Sequence, residues 1–80
     1  MDDAAIVRRI NELAEEEHRL EQSEAGKGLS EDEKDRVRSI EIALDQCWDL
    51  LRRRRARREV GQDPDEVSVR PAEVVEGYQQ

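Results

Sequence analysis

The sequence predicts an all-α protein: an antiparallel two-helix hairpin, coiled-coil-like in its packing, that dimerises into a four-helix bundle and carries an irregular C-terminal tail. Three observations lead to this expectation. Apolar residues recur at three- and four-residue spacing in two long stretches. A short glycine-bearing break separates those stretches. Charged residues make up 44% of the 80 residues and aromatic ones 2%, with no Phe, which excludes a sandwich or barrel core. A chain this short buries a modest share of its surface and gains from self-association.

The first helix is expected over about residues 3–25, where Ile6, Ile10, Leu13 and Leu20 follow at spacings of four, three and seven. Asp2 or Asp3 supplies an acidic cap suited to the helix N-terminus. In Gly26-Lys27-Gly28-Leu29-Ser30 either glycine suits the left-handed conformation that ends a helix. Ser30-Glu31-Asp32-Glu33 then has the form of a capping box. The second helix is expected over about residues 31–60, through Val37, Ile40, Leu44, Cys47 and Leu51, with Gly61 as its stop. A connection this short makes the helices antiparallel neighbours, in a register where paired residue numbers sum to roughly 56. Residues 1–60 thus form the hairpin and 61–80 the tail.

The apolar arc of the second helix, from Val37 and Ile40 through Leu44, Cys47, Trp48, Leu50 and Leu51, is about 160° wide, more than one helix covers. Self-association is therefore assigned to Ile6, Ile10, Leu13, Leu44, Cys47, Trp48 and Leu51, with a second copy of the chain as partner. After Gly61 the periodicity stops at Asp63-Pro64, Arg70-Pro71 and Gly77. The apolar tail residues Val67, Val69, Val74, Val75 and Tyr78 suit docking near Trp48 and Leu50, in competition with dimerisation for one surface.

The net charge of −7 is unevenly distributed: residues 1–25 carry −5, 26–51 carry −3, 52–58 carry +6 and 59–80 carry −5. Arg52, Arg53, Arg54, Arg55, Arg57 and Arg58 are candidates for contact with an anion or an acidic protein partner, because guanidinium groups bind phosphate and carboxylate bidentately. They also give the alternative function, a nucleic-acid- or ribosome-associated factor. Against that reading, the arginines lie all around the helix, lack interleaved aromatics, and have acids at Glu59, Asp63, Asp65, Glu66 and the N-terminus to pair with. Glu17 sits within the first helix's apolar face, where an unpaired carboxylate is costly. It is expected to reach solvent or Arg36 or Arg38 opposite, or to fix dimer register through an ion pair.

Glu15-x-x-His18 has the carboxylate–histidine spacing of di-iron bundles, but on the helical wheel both residues point away from the seam. Cys47 and His18 are separated along the hairpin and form no joint zinc or nucleophile site; Cys47 is read as core. With one His and no Gly-rich phosphate loop after a strand, no active site, metal or cofactor is expected. The lone cysteine and the opening Met1-Asp2-Asp3, which lacks the regions of a signal peptide, lead to the expectation of a cytoplasmic protein. No apolar run approaches the roughly 20 residues of a membrane span. The functional expectation is a small non-enzymatic interaction or scaffold protein that acts as a homodimer.

The turn Gly26-Lys27-Gly28-Leu29-Ser30, the segment Leu44-Asp45-Gln46-Cys47-Trp48-Asp49-Leu50-Leu51 with the Arg run behind it, Gly61-x-Asp63-Pro64 and the ending Val69-Arg70-Pro71-x-Glu73-Val74-Val75-Glu76-Gly77-Tyr78 resemble a family of short, uncharacterised actinobacterial proteins classed as a domain of unknown function. The resemblance spans nearly the whole chain. It implies that the tail belongs to the native protein, and it carries no activity.

Overall fold

A computed structural model of the chain describes residues 1–23 and 28–76. Helix α1 spans Asp3–Ser23 and helix α2 spans Glu31–Glu59; a 3-10 turn at Pro64–Glu66 and the short helix α3, Ala72–Glu76, follow. There is no strand among the described residues. The expectations for Gly26, the end of the first helix at residue 25, Gly77 and Tyr78 lie outside the described residues.

Each helix end is set by local chemistry that the sequence carries. Asp2, and not Asp3, caps α1: its Oδ1 accepts the Ala5 amide at 2.8 Å, and its carbonyl accepts the Ile6 amide at 3.0 Å. The capping box at α2 is complete. The Glu33 amide donates to Ser30 Oγ at 3.2 Å, and the Ser30 amide donates to Glu33 Oε1 at 3.0 Å, so two donors otherwise left without partners are satisfied. At the far end the amides of Gly61 and Gln62 donate to the carbonyls of Arg58 and Arg57. Gly61 turns there with φ 76°, a conformation that costs a residue with a Cβ.

Two ion pairs fix α1 against α2 in antiparallel order. Asp3 meets Arg54, and Glu16 meets Arg36, so paired numbers sum to 57 and 52, on either side of the expected register. Between them the core is assembled from Ile6 and Ile10 of α1 and Leu50 and Leu51 of α2, with Leu44, Cys47 and Val67 packed against it. Leu13 and Ile40 are buried further along the hairpin. Each such side chain removed from water contributes about 1.5–3 kcal/mol, which identifies this strip as the main support of the fold.

The tail is not wholly irregular and it does dock. Asp63 Oδ1 accepts the Asp65 amide, Pro64 opens the 3-10 turn, and Pro71 places its carbonyl to accept the Val74 amide at the start of α3. From Gly61 the chain runs back along α2, joined to it at Arg54, Arg53 and Gln46 in turn. Val75 of α3 is 0% exposed, Val67 is half-buried, and Val69 and Val74 remain exposed. The tail docks beside Leu50, as expected, and not over Trp48. The tail's polar contacts fall on the side of α2 that carries Gln46, Asp49 and Arg53, whereas Trp48, on another face, stays 43% exposed. A stripe with 3.6-residue periodicity separates these faces, so one short tail covers one of them.

Candidate interaction surface

Of the six arginines in the basic block, four are engaged within the chain. Arg54 is 5% exposed: its Nε donates to Asp3 Oδ1 at 2.7 Å, and its Nη1 donates to Asp65 Oδ1 at 2.9 Å and to the Pro64 carbonyl at 3.1 Å. One guanidinium therefore ties the start of α1 and the start of the tail to α2, a use of the planar donor fork that a lysine could not reproduce. Arg58 donates to the other oxygen of Asp3. Those two hydrogen bonds hold the Asp3 carboxyl at about 2, below its ordinary 3.8. Arg57 reaches Gln62 and Glu66, and Arg53 donates to the Ser68 carbonyl and to Asp49.

Asp49 has no counterpart in the sequence-based expectations. It is 3% exposed, with Arg53 Nη1 at 3.1 Å and Arg70 Nε at 3.8 Å. A signal was present: an acid four residues before an arginine, inside an apolar run, is placed for an i,i+4 pair. Arg70 could not be assigned from sequence, because it arrives from the tail.

Arg52 and Arg55 differ from the other four. Both are exposed, and neither has an acidic partner among the described residues. They share one side of α2 with Trp48, four and seven residues before them, and with Glu41, seven residues before Trp48. Val7 of α1, 39% exposed, lies at the level of Trp48 in the register set by the ion pairs. This side therefore presents a half-open indole, an exposed valine, two free arginines and an acid.

The residues assigned to self-association divide accordingly. Ile6, Ile10, Leu13 and Leu51 are buried within the single chain, Leu44 and Cys47 are half-buried against its core, and Trp48 is exposed. Burial pushes the Cys47 thiol up from its ordinary value, the opposite of what an activated nucleophile requires.

Glu17 departs from the expected pairing. Arg36 is taken by Glu16, with Nε–Oε2 at 2.5 Å and Nη2–Oε1 at 2.6 Å, a bidentate contact that lowers the Glu16 carboxyl and raises the guanidinium. Glu17 instead faces Glu41 across the hairpin, in hydrogen-bond contact with it. Its carboxyl is raised above the ordinary 4.5 by burial first, then by the neighbouring charges of Glu21 and Glu41. The physical reason is angular. Glu16 and Arg36 lie on one edge of the seam and Glu17 toward the other, so a single residue step decides which acid meets the arginine.

Glu15 and His18 are both exposed on α1, as the helical wheel requires. No group of three His, Cys, Asp or Glu residues among those described is arranged to hold a metal ion. No helix in the described residues is long and apolar enough to cross a membrane.

Comparison with known proteins supports the resemblance read from the tail and turn motifs. The family described as "Protein of unknown function (DUF2630)" matches residues 2–80. An uncharacterized protein of Mycobacterium bovis and one of Mycobacterium tuberculosis are each 51% identical to this chain over 77 residues, spanning 95% of this chain and 88% of the relative. No solved structure matches it.

Proposed function

We propose that this chain, which belongs to the DUF2630 family of proteins of unknown function, works as a non-enzymatic interaction protein that binds a second helical surface, first of all that of its own copy, through the Trp48 face of α2. The observation that carries the reading is the contrast between the two sides of α2. One is covered by the tail, whereas the other leaves Trp48 43% exposed beside Arg52 and Arg55, which have no acidic partner among the described residues. Indole and guanidinium groups are the side chains most often found at the energetic centres of interfaces.

Contact with nucleic acid through Arg52 to Arg58 has weaker support, because Arg53, Arg54, Arg57 and Arg58 already hold carboxylates or carbonyls of this chain. The test is sedimentation equilibrium over a range of protein concentrations, for the wild type and for Trp48→Glu. The wild type is expected to rise toward twice the chain mass, and the variant to stay at one chain mass while keeping its helical circular dichroism. Identical masses for the two proteins would refute the Trp48 face.

A further inference from the structure

Resting on the proposed self-association, we infer its register: two copies of α2 cross antiparallel about Trp48, so that Arg55 of each chain pairs with Glu41 of the other. The inference is carried by a symmetry in the stripe. Glu41 stands seven residues before Trp48 and Arg55 seven residues after it. Seven residues are about 10.5 Å along the axis, with a drift of only about 20° around it, so acid, indole and arginine lie on one line at equal intervals. A two-fold axis through Trp48 reverses that line and superimposes acid on arginine at both ends. Such an isologous contact is the simplest closed assembly available to identical chains.

The charges left over within one chain make the same case independently. Arg52 and Arg55 lack an acidic partner among the described residues, whereas Glu41 lies against the like-charged Glu17. One hairpin thus leaves two arginines open at one end of the stripe and, at the other, a carboxylate pressed against Glu17 with Arg38 on its other side. A second copy pairs both ends and places a guanidinium beside the crowded carboxylates. An unrelated acidic helix would satisfy the arginines and leave Glu41 unrelieved. A second copy is the partner that fits the whole stripe.

The test uses Arg55→Glu and Glu41→Arg, with sedimentation as the readout and circular dichroism as the check on folding. Alone, each variant sets like charges opposite each other twice in its homodimer, and association is expected to weaken at least about tenfold. Mixed in equal amounts, the two variants form a heterodimer in which every acid again faces an arginine, and association is expected to return to within a few-fold of wild type. Failure of the mixture to associate while Trp48→Glu still dissociates the wild type would overturn the register and leave the Trp48 face standing. A wild type that stays monomeric at every concentration, or that ignores Trp48→Glu, would overturn both.

Discussion

The two sides of α2 carry similar chemistry and have different fates. On one, Arg53 and Arg54 are met by Asp49, Asp3, Asp65 and tail carbonyls, and apolar cover comes from Val67 and Val75. On the other, Arg52, Arg55 and Trp48 receive nothing comparable from the described residues. Composition alone does not distinguish a structural arginine from one free to bind. What distinguishes them is which face the returning chain passes. A basic run of six arginines is here mainly an internal clasp, and its candidate binding residues are the two that the clasp omits.

The largest expected effect separates the two sides directly. Val75→Asp puts a carboxylate into a fully buried site on the tail side, and is expected to release α3 and cost about 2 kcal/mol or more in chemical denaturation. Trp48→Glu is expected to cost about 1 kcal/mol or less, since the indole is already 43% exposed, and to change the mass and not the fold. Equal losses of stability would erase the distinction.

The Arg54 clasp sharpens the comparison through pH. Asp3 titrates in the folded chain at about 2, below its ordinary 3.8, so its contribution is complete above the ordinary value and is lost as pH falls through the folded one. Asp3→Asn is expected to lower stability at neutral pH and to remove that part of the acid dependence, as read from thermal melts between pH 2 and 6. An unchanged acid limb would detach Asp3 from the clasp.

Glu17 gives the smallest effect, of opposite sign. Its folded value is raised above 4.5, so the native state holds the proton more tightly, and stability falls as pH rises through that window. Glu17→Gln is expected to stabilise the chain by about 0.5 kcal/mol near neutrality, the scale of a like-charge contact, and to have no such effect in mild acid. A melting temperature lowered at neutral pH would contradict this assignment.

Much of this arrangement is legible in the sequence, and the boundary of legibility is physical. The start of each long helix, the Ser30–Glu33 capping box and the Gly61 stop follow from local rules, and the structure carries them among the described residues. The antiparallel register follows from the short turn. What local rules omit is where the tail lies. Val75 as core, Asp49 between two arginines and the Gln46 contact to the Arg70 carbonyl all depend on the returning segment, which has no periodicity to announce its face. Glu17 stands out in the sequence as an acid on an apolar face, but its neighbour does not, because the single step along α1 from Glu16 to Glu17 decides which acid meets Arg36 and which meets Glu41.

Trp48 is the chain's single tryptophan, so its fluorescence reports on the open face alone. The most direct test of the contrast between the two faces is acrylamide quenching of that emission across a dilution series of the intact protein. Quenching should weaken steadily as concentration rises and the indole is covered by a second copy. Quenching that is the same at every concentration would mean that the face stays open, and would contradict the account.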